Sequence, residues 1–146
     1  MKLVKLLPEQ VMRFWDQIEE CIRVSLPPML EESNENILRI QESLLVERMQ
    51  CWLGVEDLLE TTIYGIMTTS FCYDDCTGQK NLLIFSLTIV NAYPETLWKD
   101  SYETLRKFAA FHECKQIIAY TNLDSVAMIV RNLGGDDSWK MLKLPV

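Results

Sequence analysis

The run Leu82–Val90, "LLIFSLTIV", constrains the fold more than any other stretch. It is too short to cross a bilayer and is rich in β-branched and aromatic residues, so it reads as a strand buried on both faces of a sheet. A polar turn containing a glycine, "DDCTGQKN", precedes it, and "NAYPETLW" connects it to a helical pattern, "TLWKDSYETLRKFAAFHEC". The central question is what this junction between strand and helix does. Such junctions often hold a phosphate, because the N–H groups of a helix N-terminus attract anions and glycines admit close backbone approach.

The neighbouring patterns supply the remaining elements. "KLVKLL" predicts a first strand, stopped by Pro8. Val11, Phe14, Trp15, Ile18, Cys21 and Ile22 recur at helical spacing, which predicts one helix running from Pro8 to "SLPP". "SNENILRIQESLLVERM" predicts a second helix with Ser33 or Asn34 as its N-cap. "MQCWLGVED" and "TTIYGIMTTSFCY" read as strands separated by a turn at "LLE", and with "LLIFSLTIV" they make an antiparallel meander. After the long helix come a strand at "KQIIAYT", a short helix at "SVAMIVRNLGG" with glycines at its C-terminal end, and a last strand at "WKMLKLPV". The predicted order is β-α-α-β-β-β-α-β-α-β in one domain over residues 1–146: an α/β (α+β) fold whose mixed, mostly antiparallel sheet is flanked by helices.

Charge and cysteine content narrow the function. Acidic residues exceed basic ones by seven among 146, and the Lys and Arg side chains are scattered, so nucleic acid is not the expected partner. "MKLVKLLPEQ" turns polar too early for a signal peptide, and no apolar run is long enough for a span, which leads us to expect a cytoplasmic protein. The five cysteines, an odd number without framework spacing, suit reduced thiols.

The element order and the tail "DSVAMIVRNLGG" resemble the GNAT (GCN5-related N-acetyltransferase) superfamily, with its tail pattern Asn-x-x-Ala-x-x-x-Tyr-x-x-x-Gly-Phe. Within it, "LVKLLPEQVMRFWDQIEECIRVSLPP" followed by "MQCWLGV" is similar to the small GNAT-like proteins of tailed bacteriophages. The resemblance implies a cofactor loop of the form Gln/Arg-x-x-Gly-x-Gly/Ala after the fourth strand. Its place here falls on Tyr93, Thr96 and Trp98, and no glycine lies between Gly78 and Gly134. Leu87 and Ile89 on that strand and Asp124 complete the cofactor-binding candidates. The tyrosine that protonates the leaving thiolate in the family corresponds to Arg131, which stays protonated and is a poor acid.

Two functions follow from that comparison. The main expectation is a phage-encoded GNAT-fold protein that has lost acetyl transfer, needs no cofactor, and works as a virion, assembly or interaction component in the host cytoplasm. Its partners would be phage structural proteins or further copies of itself. The alternative is a CoA-dependent N-acyltransferase using acetyl-CoA, with Glu56, Tyr120 and Arg131 as its catalytic candidates.

Each remaining candidate carries an ordinary structural reading beside the functional one. Glu56 and Asp57 stand where acetyltransferases place a base, or form a solvated turn. Tyr64, Ser86 and Tyr120 line a central cleft or sit at the edge of the core. In "CYDDC", Cys72, Asp74, Asp75 and Cys76 lack a second ligand pair, so no metal is expected. His112, the lone histidine, is expected on a helix surface near its end rather than paired with a cysteine nucleophile such as Cys114. Trp15, Trp52 and Trp139 read as core or rim residues. Trp98 packs between the long helix and the sheet, or anchors a protein partner.

Overall fold

The computed structural model describes residues 2–56 and 62–146. The elements are β1 (Lys2–Lys5), α1 (Pro8–Arg13), α2 (Trp15–Val24), α3 (Asn34–Leu45), β2 (Met49–Val55), β3 (Ile63–Tyr73), β4 (Lys80–Ile89), α4 (Glu95–Phe111), β5 (Ile117–Ala119) and α5 (Asp124–Asn132). Among the described residues, five strands form one sheet in the order β1-β2-β3-β4-β5. Neighbours are antiparallel from β1 to β4, whereas β5 runs parallel to β4, as the intervening helix α4 requires. The expected turn at "LLE" and the candidate Asp57 lie outside the described residues. Among the described residues, no helix is long and apolar enough to cross a membrane.

Strand alternation sends side chains to two cores. Cys51 and Ile66 face one side, where they meet Val11, Ile18, Ile22, Ile37, Ile40 and Leu44 from α1, α2 and α3. Trp52, Met67 and Leu82 face the other, with Leu3 of β1 and with Leu105 and Ala109 of α4. Ser33 caps α3, its hydroxyl accepting from the Asn36 N–H at 3.1 Å.

The structure departs from the predicted elements in two places. The first predicted helix is broken at Phe14, whose φ of −106° and ψ of 20° leave the helical region. Phe14 still donates to the Gln10 carbonyl and accepts from the Ile18 N–H, each at 3.1 Å. The break therefore redirects the chain without ending it, and Val11, Ile18 and Ile22 all reach one core.

The second departure is the last strand. Residues 139–146 form no strand, and Trp139 and Leu144 are 86% and 90% exposed. β5, the nearest possible partner, is only three residues long. The Lys143 ammonium instead donates to the Pro28 carbonyl at 3.1 Å, which draws this segment to the α2–α3 connection. The preceding glycines act as expected: Gly134, at φ 85°, supplies the left-handed residue after α5, and its N–H reaches the Arg131 carbonyl at 3.0 Å.

Ile22 is fully buried where α2 meets the sheet. Ile22→Ala is expected to lower unfolding free energy by about 2–5 kcal/mol. Leu38→Ala on α3, where the side chain is 59% exposed, should stay within about 0.5 kcal/mol. Urea denaturation of the two variants checks both values.

Candidate functional site

The site begins where β4 and β5 part. Their parallel pairing is confined to Leu82 with Ile117, Leu83 with Ile118 and Ile84 with Ala119. The β3–β4 register shifts at the next residue: Ile84 faces Thr69 and Ser86 faces Thr68, leaving Phe85 as a bulge. A bulge bends its strand and ends regular pairing. From Phe85 to Ile89, β4 therefore keeps its bonds to β3 while its other edge opens into a fork.

Two of the candidate cofactor residues lie on that open edge. The Val90 N–H donates to the Tyr64 carbonyl at 2.8 Å, across to β3. By antiparallel alternation the Thr88 amide faces β3 as well, so the backbone groups of Leu87 and Ile89 face the fork.

The junction "NAYPETLW" is pinned down by side chains. Asn91 Nδ2 donates to the Ile63 carbonyl at 2.7 Å. The Tyr93 hydroxyl shares a 2.7 Å hydrogen bond with Ser101 of α4. Its ring lies over Gly54 and Gly65, which pair across β2 and β3. A Cβ at Gly54 would approach Tyr93 Oη to 3.1 Å, and one at Gly65 would approach the Thr88 carbonyl oxygen to 3.0 Å. The glycines thus make the seat for Tyr93. Burial raises the Tyr93 pKa, while the Ser101 hydrogen bond opposes that rise.

Trp98 packs on Tyr93 with ring centroids 4.2 Å apart. With Glu95 and Lys99 of α4, Ile129 and Asn132 of α5 and Leu133 just after it, it lines a cleft of about 70 Å³. Trp98, a residue of α4, thus packs between Tyr93, whose ring lies over the sheet, and the C-terminal end of α5. Thr96 is exposed in the first turn of α4, which starts at Pro94 without a side-chain cap.

Tyr64 connects Tyr93 to the base candidate. Its hydroxyl donates to the exposed Glu56 carboxylate at 3.0 Å, and its ring meets Tyr93 edge-on at 6.3 Å. Tyr120 is exposed just beyond β5, on the other arm of the fork. Arg131 and Asp124 lie at opposite ends of α5, and the Arg131 guanidinium pairs with Asp137 at 2.7 Å. Ser86 does not line an open cleft: it is buried, and its hydroxyl bonds to Thr68.

The remaining candidates have structural roles. Asp74 accepts from the backbone N–H groups of Cys76 and Thr77 at 3.0 and 2.7 Å, closing the β3–β4 hairpin, and these bonds from Thr77 and Cys76 hold its carboxylate pKa down. Among the described residues, no group of His, Cys, Asp and Glu is arranged to hold an ion. His112 caps the C-terminus of α4 among Phe71, Phe108 and Phe111, and burial, helped by Lys80 and Lys5, lowers its pKa. Burial raises the Cys114 thiol pKa against the pull of Lys80, which disfavours a thiolate nucleophile there. Trp15 is packed against the first core, and Trp52 donates to Thr69 at 2.9 Å inside the second.

No family model and no curated protein matches the sequence. Solved structures match it from end to end. A probable acetyltransferase superposes with a TM-score of 0.71 at 12% identity, over 100% of this chain and 98% of the other. AAC(6')-Iy, in complex with the bisubstrate analogue CoA-S-monomethyl-acetylneamine, gives 0.69 at 10% identity over 99% and 97%. An aminoglycoside acetyltransferase from an uncultured soil metagenomic sample gives 0.68 at 13% identity over 99% and 97%. The fold is GNAT-like, with a mixed, mostly antiparallel sheet flanked by helices.

These matches correct two expectations, that of a non-catalytic virion, assembly or interaction component and that of a chain needing no cofactor. Several proteins that share the fold end to end are named as acetyltransferases or probable acetyltransferases, one of them held with a CoA-based analogue. The physical reason is that the missing glycines concern only the junction "NAYPETLW". The fork, set by β4 and β5, does not depend on them.

The seat of Tyr93 can be tested by a double-mutant cycle. Gly54→Val should cost about 1–3 kcal/mol by crowding the ring. In a Tyr93→Ala background that cost should fall by at least about 0.5 kcal/mol, a coupling measurable by urea denaturation. Additive effects would mean that the ring does not rest on Gly54.

Proposed function

We propose that the chain is a CoA-dependent N-acyltransferase that moves an acetyl group from acetyl-CoA to an amine. The observation that carries this reading is the bulge at Phe85, which coincides with the end of β4–β5 pairing. It leaves an open strand edge suited to an extended chain bearing amides, through the backbone pairing by which peptides add to sheet edges.

Acetyl-CoA supplies the acyl group as a thioester. Leu87 and Ile89 present backbone donors and acceptors that fit the amides of its pantetheine arm. The Tyr64–Glu56 pair supplies a path for the proton that the amine loses, with the carboxylate as acceptor directly or through water. The new C–N bond forms as the C–S bond breaks, and Tyr120, just beyond β5, is the candidate to donate a proton to the departing sulfur. Arg131 has no part in that transfer, because a guanidinium already paired with Asp137 is no proton donor near neutral pH.

The phosphate end relies on the start of α4, with Tyr93 and Trp98 fixing the path of the junction. Glu95 in the first turn opposes an anion there, so binding relies more on the fork than on the phosphates. The single sheet supports one domain over residues 1–146. The likeness of the opening segment to the small GNAT-like proteins of tailed bacteriophages supports a phage-encoded source.

Calorimetry should show acetyl-CoA binding at micromolar affinity. Ile89→Pro removes the N–H that faces the fork and should weaken binding by about tenfold or more. Arg131→Lys should change it less than about twofold, since exposed ion pairs contribute little. Absence of binding up to millimolar acetyl-CoA would overturn the proposal.

A further inference from the structure

On the side of the sheet covered by α1, α2 and α3, a groove of about 240 Å³ opens beside the fork, and Phe85 lines it. Phe85 is also the bulged residue of β4, so groove and fork share a wall. Ile40 and Met49, both buried, contribute further apolar lining, and Leu30 of the α2–α3 connection lines it as well.

The polar lining residues bond to their own helix or to the turn before it. Asn36 Nδ2 donates to the Glu31 carbonyl at 2.9 Å. The Ser43 hydroxyl donates to the Arg39 carbonyl at 2.9 Å, and the Arg39 guanidinium binds Glu35 at 2.7 Å. A hydroxyl-rich ligand entering here would set its hydroxyls against Leu30, Ile40, Met49 and Phe85, where bonds to water are lost without replacement. An apolar group would lose nothing comparable, and would gain contact with Met49 and Phe85. The volume lies below the roughly 300–1,000 Å³ of pockets that enclose whole ligands, and suits a single side chain.

We infer that this groove receives the apolar side chain of the acceptor, so that the substrate is a primary amine on an aromatic or aliphatic stem. Polyhydroxylated and polycationic amines do not fit it, which separates this chain from matched structures named as aminoglycoside acetyltransferases. The inference rests on the fork as donor site, since only that places the groove beside the transferred acyl group.

The test is amine binding to the native protein by NMR titration, without any acyl donor. 2-Phenylethylamine and ethanolamine carry similar ammonium groups on different stems, and spermidine represents the polycations. The first is expected to bind at least about tenfold more tightly than either of the others. Leu30→Asn, at a position 39% exposed and outside regular structure, should reduce that preference below about threefold. Equal affinities, a preference for spermidine, or a preference that survives Leu30→Asn would each overturn the inference. Because no donor is present, failure of acetyl-CoA to bind counts against the proposed activity, while the amine titration still decides the occupant of the groove.

Discussion

β4 has to satisfy two incompatible pairings, and the bulge at Phe85 reconciles them. Its first half is held between β3 and β5, with Leu82 fully buried in the core. Its second half keeps β3 but leaves β5, and an unpaired strand edge tends to fray or to pair with another chain. Side chains on the helical side steady it. The Thr88 hydroxyl bonds to the Cys21 carbonyl at 3.1 Å and to Ser25 at 3.2 Å, which ties this half to the end of α2. Thr68 and Ser86 join β3 to β4 beside the bulge in a buried hydrogen bond. The open edge is therefore preorganised, with polar groups presented on a backbone that need not be ordered when a ligand arrives.

The junction after β4 follows from the same arrangement. A chain leaving an open strand edge needs an anchor before it can start a helix over the sheet. Tyr93 supplies it, by inserting its ring above Gly54 and Gly65 and bonding to Ser101, and Trp98 closes over that ring. Glycines in the junction would let an anion approach closely but would leave the backbone freer. The aromatic pair gives the opposite balance, with a fixed path for the backbone and a weaker attraction for phosphate.

Much of the fold was legible because hydrophobic periodicity is local. Ser33, Ile37, Ile40 and Leu44 announce a capped helix, and "LLIFSLTIV" announces a buried strand. The bulge was not legible, since Phe85 lies within an uninterrupted apolar run without a Gly or Pro to mark it. Gly54 and Gly65 did carry a signal, because a glycine inside a strand often marks close approach, but only tertiary structure shows that Tyr93 is what approaches. The partner of Arg131 is Asp137, in the segment beyond α5, a contact that only tertiary structure shows. "WKMLKLPV" has the composition of a strand, yet a strand exists only where another edge receives it, and β5 offers little. Glu56, Tyr93, Leu87 and Ile89 were named from the resemblance, while the Tyr64–Glu56 hydrogen bond and the fork required coordinates.

Under the proposed activity, the junction meets only one end of a long donor. Phosphate contacts act equally on the bound substrate and on the transition state, so weakening them raises KM and leaves kcat largely intact. In that activity, contacts at the fork would position the thioester against the amine, and their loss would lower kcat because orientation is what the chemical step needs. Tyr93, Trp98 and Glu95 alter the first set. The bulge at Phe85, the edge groups of Leu87 and Ile89, and the Tyr64–Glu56 pair belong to the second. Under the proposed activity, an acyltransferase with this junction is one that binds its donor loosely and still aligns it for transfer.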